Sequence, residues 1–172
     1  MKPPKAPKDW DQRFLVIASH IAGWSKDPST KVGALAVRNR RILATGYNGL
    51  PTHVADLDER LQNRELRLRM TVHAETNCIA YAARHGVSLA GASFYVWPLM
   101  TCSQCAAQLI QADVAKIVVP AFVEPLRWQE SFDTARQMFI EAGVPVKRIP
   151  ISGPIDPDDH ESTADGENPG SP

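Results

Sequence analysis

Phe94-Tyr95-Val96-Trp97-Pro98-Leu99-Met100-Thr101-Cys102-Ser103-Gln104-Cys105 passes from an apolar run, through a short loop, into the start of a helix. Phe94 to Trp97 reads as a buried strand and Ser103 to Ala112 as a helix. Lys116 to Val119 reads as a second strand, stopped by Pro120, which has no N–H to offer a ladder. Two strands joined through a helix form a crossover unit, which makes the pair parallel. The unit then repeats: residues 126 to 142 read as a helix ended by Gly143, and Val144 to Ile149 as a last strand.

Upstream, His73 to His85 is Ala-rich and helical, ended by Gly86 where a left-handed cap is favoured. Val32 to Val37 and Ile42 to Thr45 read as a hairpin around Arg38-Asn39-Arg40-Arg41, although the turn lacks glycine. Gly46-Tyr47-Asn48-Gly49-Leu50-Pro51 breaks the strand pattern, and residues 56 to 70 have a helical composition without one clean apolar face. Asp9 is placed to cap an opening helix running to about Trp24, with Trp10, Phe14, Ile17, Ala18 and Ile21 at helical spacing. The expected fold is α/β: a three-layer α/β/α domain around a mixed, largely parallel five-stranded sheet.

The 172 residues suffice for one domain with its own core. Its expected limits are residues 9–151, between a flexible Pro/Lys tail, 1–8, and a disordered acidic tail, 152–172. With 44% hydrophobic and 22% charged residues the composition is that of a soluble globular chain. No apolar run approaches a membrane span, and MKPPKAPKDW has no apolar stretch to act as a secretory signal, so a reducing, cytoplasmic setting is expected. Zero net charge conceals an asymmetry. Ser152 to Pro172 holds six acidic residues and no Lys or Arg, leaving the rest at a formal +6, nineteen Lys and Arg against thirteen Asp and Glu. A mildly basic body suits an anionic small ligand, and the lack of a basic stripe argues against nucleic acid.

Three cysteines are too few for a disulfide framework, and Cys102-x-x-Cys105 fits either a metal clip or a redox dithiol. His73-Ala74-Glu75 upstream favours metal. One imidazole, His73, and two thiolates, Cys102 and Cys105, make a three-ligand set for Zn2+, with the fourth position left to water as in catalytic zinc sites. Both halves fall at expected helix N-termini, whose N–H groups and dipole favour thiolates. Glu75 stands where a carboxylate can shuttle protons between water and a substrate nitrogen without ligating the metal. This combination matches the H-x-E and C-x-x-C signature of zinc nucleobase deaminases.

Four blocks carry a wider resemblance: Lys26-Asp27-Pro28-Ser29-Thr30-Lys31-Val32-Gly33-Ala34, Gly46-Tyr47-Asn48-Gly49-Leu50-Pro51, Val72-His73-Ala74-Glu75-Thr76-Asn77 and Cys102-x-x-Cys105. In that order they resemble the deoxycytidylate (dCMP) deaminase family over roughly residues 10 to 150. The resemblance implies a cytidine-deaminase-like fold and hydrolytic deamination of a free nucleotide. It assigns His73, Cys102 and Cys105 to zinc and Glu75 to proton transfer. It assigns Asn48 to the sugar, the Lys26 to Lys31 block, with Lys26, Ser29 and Lys31, to the phosphate, and Ala74 to substrate contact. It also implies a homo-oligomer.

Two departures stand out. Thr101 occupies the place before the first cysteine where the family usually has proline, in a Trp97 to Thr101 loop one residue longer than usual. This loop borders the pocket and bears on which 5-substituents fit. Thr52-His53-Val54-Ala55-Asp56 lacks the Gly and Cys associated with nucleotide regulation, which argues against control by deoxynucleoside triphosphates.

Other readings stay open at this level. The zinc chemistry could serve another cytosine or adenine substrate, as a nucleoside or in a polymer, or the fold could be a non-catalytic zinc module. Cys78 is expected to be a buried apolar residue and His20 and His85 structural. His53 is divided between phosphate and solvent. Trp97, Trp128 and Tyr47 could stack on a base, although core packing is the commoner fate. Arg60, Arg64, Arg67 and Arg69 could attract phosphate, but interleaved with Glu59 and Glu65 they read more readily as a solvated or subunit-contact face.

Overall fold

The computed structural model describes residues 9–151; the two expected tails, 1–8 and 152–172, lie outside the described residues. Helix α1 is Trp10–Ala22, and the hairpin strands β1 and β2 are Gly33–Arg38 and Arg41–Tyr47. Helices α2, α3 and α4 follow at Asp58–Gln62, Arg64–Met70 and Ala74–Arg84. The alternating half comprises β3 Ser93–Trp97, α5 Ser103–Gln111, β4 Lys116–Pro120, α6 Gln129–Glu141 and β5 Val146–Ile149, with one 3-10 turn at Leu126–Trp128 ahead of α6.

The sheet order is β2-β1-β3-β4-β5. β1 is antiparallel to both neighbours, and β3, β4 and β5 are mutually parallel. Four strands therefore run one way with β1 reversed between them, the expected mixed sheet. Strand alternation sorts the core into two layers. Ala34, Ala36, Phe94, Val96, Ile117 and Val119 pack with α4, α5 and α6 residues such as Cys78, Leu109 and Phe139. Leu35, Val37, Tyr95, Trp97, Val118 and Ile149 pack with α1.

Residue size on each face determines how closely a helix approaches. The α4 face is lined with Ala34, Ala36, Ala44 and Gly46, and Gly46 is decisive. A Cβ there would lie 2.3 Å from the carbonyl oxygen of Ala74 and 2.5 Å from the amide nitrogen of Cys78. The first turn of α4 thus rests directly on β2, and that turn follows His73 and contains Glu75.

Several expectations shift in detail. The hairpin turns without glycine because Asn39 and Arg40 both take positive φ, 53° and 60°, as a tight two-residue turn requires, and Asn tolerates that region well. Gly86, at φ +66°, follows the His85 C-cap of α4 as anticipated. Residues 56 to 70 form two helices, because the Asn63 side chain accepts from the Leu66 amide and starts α3 afresh. On α1, Trp10 and Ile17 are exposed, while Asp11, Leu15 and Ala22 are buried. The face turns because Asp11 carries a buried ion network. Its carboxylate accepts from the Tyr95 hydroxyl at 2.6 Å, Lys147 at 2.7 Å and Lys116 at 3.1 Å, tying α1 to β3, β4 and β5. The last strand begins at Val146, two residues later than the apolar pattern suggests.

Candidate active site

His73 is the N-cap of α4 and Cys102 the N-cap of α5, both with extended backbone, φ/ψ of −67°/154° and −73°/166°. Ser, Thr, Asp or Asn usually takes this position to bond a free helix N–H. Neither side chain makes such a bond here, so the imidazole and the thiol remain available. Cys105 sits one turn into α5 and is almost fully buried. His73 Nδ1 lies 3.4 Å from each cysteine sulfur, and the three donor atoms fall within 4.8 Å of one another. Among the described residues this is the one His/Cys/Asp/Glu group so placed. An imidazole with two converging sulfurs suits Zn2+, and among the described residues no fourth His, Cys, Asp or Glu joins the group.

The electrostatics agree with that use. Hydrogen bonding from Cys105, then from His73, holds the Cys102 thiol well below its usual range, while the same Cys102–Cys105 bond and burial push Cys105 up. The bond to Cys102 also raises the His73 pKa. Thr76 Oγ1 lies 3.6 Å from Cys105 Sγ and supports it from α4. Glu75 is 4% exposed, and burial, then the Cys102 charge, raise its pKa. A carboxylate so placed takes up a proton more readily than one in water.

The cluster opens into a cleft of about 400 Å³, within the range of small-molecule sites. His73, Ala74, Glu75 and Cys102 line it, as do Ser29, Asn48, Leu99 and Met100. The Asn48 side chain accepts from the Val32 amide at 2.8 Å and donates to the Thr30 carbonyl at 2.9 Å, holding the 26–32 segment against the end of β2. Ala74 is the first residue of α4, so its amide is one of the helix's unpaired donors.

The structure distributes the expected phosphate block differently. Ser29 borders the cleft, but its hydroxyl accepts from Arg67 at 2.7 Å. Lys26 lies in a neighbouring recess and pairs with Asp56 at 2.9 Å, and Lys31 is exposed outside both hollows. Arg67 does not belong to a solvated face: it is 5% exposed and ion-paired with Asp27 at 3.2 Å. The arginines lining the cleft are Arg64, Arg127 and the ion-paired Arg67. Arg127 stands in the loop ahead of α6, and nothing in its sequence neighbourhood marks it. Only the return of the chain after β4 brings it to the α4 and α5 N-termini.

The remaining alternatives resolve by position. Cys78 is wholly buried in the core, where burial pushes its thiol up to about 12. His20 bonds the Val16 carbonyl, His85 stacks on Tyr81, and His53 is an exposed turn residue. Trp97 packs in the α1 layer, Tyr47 edges against Trp24, and Trp128 lines the cleft.

Two helix N-termini presenting a His/Cys/Cys set and a buried carboxylate at one end of an α/β/α sandwich define a hydrolytic zinc-deaminase architecture. A family model described as the cytidine and deoxycytidylate deaminase zinc-binding region matches residues 8–121. An uncharacterized deaminase from the luxG 3′ region of Aliivibrio fischeri is 38% identical over 144 residues, 83% of this chain and 95% of that protein. The deoxycytidylate deaminase of Mus musculus is 30% identical over 147 residues, 82% of this chain and 80% of that protein. The dCMP deaminase of cyanophage S-TIM5, solved with dCMP and dUMP, shares the fold at a TM-score of 0.67 and 24% identity, covering 84% of this chain and all of that one. The chain belongs to the cytidine and deoxycytidylate deaminase family and is a zinc-dependent hydrolytic deaminase. No helix among the described residues is long and apolar enough to cross a membrane.

Proposed function

We propose that the substrate is free deoxycytidine monophosphate, converted with water to deoxyuridine monophosphate and ammonia. The observation that carries this reading is the buried Glu75 carboxylate beside the His73/Cys102/Cys105 cluster, in a cleft lined by Arg64, Arg67 and Arg127. The mouse relative's deoxycytidylate activity supports the choice of nucleotide. A 5-substituted dCMP is a close variant, since Leu99 and Met100 present apolar surface to the same cleft.

His73, Cys102 and Cys105 would hold the zinc. When bound, the metal supplies Lewis-acid activation of a water at near-neutral pH. Glu75 would take a proton from the attacking water and give it to the ring nitrogen N3 as the water oxygen bonds to C4. It would then carry the remaining proton of the new C4 hydroxyl to the amino group, so that the C4–N bond breaks, a C4 carbonyl forms and ammonia leaves. Asn48 and the Ala74 amide, both in the cleft lining, would meet the nucleoside. Arg64 and Arg127 take the phosphate, the task that the sequence reading gave to Lys26, Ser29 and Lys31. Homo-oligomeric assembly, no nucleic-acid partner and a reducing, cytoplasmic setting belong to the same reading, consistent with three free cysteines.

The test is ammonia release by the zinc-loaded protein from dCMP, 5-methyl-dCMP, CMP, deoxycytidine, dCTP and dAMP, with Glu75→Gln as the blank. Turnover of a deoxycytidylate that the variant loses while keeping zinc supports the assignment. Silence across the panel with zinc bound refutes it, and moves the reading to a polymer base or a non-catalytic zinc module.

A further inference from the structure

The N-cap residue of α5 is committed elsewhere: Cys102 makes no side-chain bond to the helix, and its sulfur lies 3.4 Å from His73 Nδ1. A helix start leaves four backbone N–H groups without intrahelical partners, and the capping side chain normally takes one of them. At α5 a side chain from another helix does so. Ser131, in the first turn of α6 and 28 residues beyond Ser103, accepts from the Ser103 amide through Oγ at 3.0 Å. The two serine hydroxyls are also within hydrogen-bond reach of each other, at 3.2 Å, and both residues border the cleft.

Ser131 is a fixed point because α6 is. Phe132, Ala135 and Phe139 are buried in the same core layer as Ala106 and Leu109 of α5, so packing holds the two helices together. Cys102 is the N-cap and Cys105 the third residue of α5, one turn carrying both sulfurs. Fraying or rotation of that turn would move both relative to His73, which belongs to the start of α4. Groups that orient metal ligands matter nearly as much as the ligands themselves. We propose that Ser131 is a positioning residue of the zinc site: it caps α5 in place of Cys102 and so sets where the two sulfurs stand. The inference rests on the assignment of His73, Cys102 and Cys105 to zinc, and not on the identity of the substrate.

Two measurements on the full chain decide it. In the first, Ser131→Ala lowers zinc affinity about tenfold in competition against a chromophoric chelator, and shifts the thiolate-to-metal absorption of the cobalt-loaded protein. Ser131→Thr, which keeps the hydroxyl, restores both. Ser103→Ala, which leaves the amide in place, stays within about threefold of native affinity. Thr134→Ala, which removes a hydroxyl bonded to the Glu130 carbonyl on the exposed side of α6, leaves zinc affinity and spectrum unchanged. In the second, exchange of the Ser103 amide in the zinc-free protein is about fivefold or more faster in Ser131→Ala. Ser131→Ala within threefold of native affinity, a Thr variant as weak as Ala, Ser103→Ala as weak as Ser131→Ala, or a zinc loss that tracks the unfolded fraction overturns the positioning role. Unchanged exchange at Ser103 overturns the cap. If the native chain binds no zinc, the metal assignment fails and takes the inference with it, whereas zinc binding without turnover of any nucleotide sinks the proposed substrate alone.

Discussion

Gly46→Ala tests the link between fold and site most directly. The added methyl would lie 2.3 Å from the Ala74 carbonyl oxygen, 2.5 Å from the Cys78 amide nitrogen and 3.0 Å from the Cys78 Cα, all backbone atoms of α4. No rotamer change relieves a clash with backbone, so β2 and α4 must separate by about 1 Å to regain ordinary contact distances. Overpacking of this kind costs about 1–3 kcal/mol, which for a chain of this size lowers Tm by about 3–10 °C. The functional consequence is separate. His73 directly precedes the displaced turn, whereas Cys102 and Cys105 belong to α5, so the shift alters the distance between the two halves of the zinc set. Metal sites tolerate ligand errors of only about 0.2 Å, and a 10- to 100-fold loss of zinc affinity is expected. Calorimetry and zinc competition against a chromophoric chelator measure both effects. Gly49→Ala is the control, because a methyl there meets only the Tyr47 ring edge at 3.9 Å. If Gly46→Ala matches that control within 1 °C and twofold in zinc affinity, the close seating of α4 on β2 does not set the site.

The remaining predictions concern charge. Asp11 is buried, and although burial alone would raise its pKa, bonds from Lys147, Tyr95 and Lys116 bring it down from 3.8 to about 2. A carboxyl depressed in the folded state adds stability above its unfolded pKa and loses it as pH falls through the folded value. The contribution is about 2 kcal/mol, allowing for the half-exposed Lys147. Asp11→Asn should therefore lower stability at pH 7 and flatten its decline between pH 4 and 2, as measured by urea unfolding; an unchanged acid limb would contradict the network's role. Arg127→Ala should raise KM for dCMP about tenfold while sparing deoxycytidine, as removal of one charge-assisted phosphate contact requires, and equal effects on both would exclude a phosphate role.

The chain's local chemistry was sufficient for its elements and for the central cluster. Alternation along Phe94 to Trp97 and Lys116 to Val119, helix stops at Gly86 and Gly143, and the spacing of His73, Glu75, Cys102 and Cys105 are local properties, because period, capping and ligand type act over a few residues. What tertiary structure decided was everything that depends on non-local neighbours. Asp11 could not be seen as buried until Tyr95, Lys116 and Lys147 came together from three strands around it. Arg67 looked like one of several surface arginines until Asp27 and Ser29 folded against it, which removed it from solvent. Lys26 and Lys31 had the right charge for a phosphate, and Asp27, Ser29, Thr30 and Val32 of their segment do line the cleft. Yet Lys26 pairs with Asp56 in a neighbouring recess, Lys31 is exposed outside the lining, and the arginines that line the cleft are Arg64, Arg67 and Arg127. Sequence patterns thus report the groups that do chemistry through their type and spacing, whereas the groups that surround a ligand are chosen by where distant loops meet, and no local periodicity encodes that.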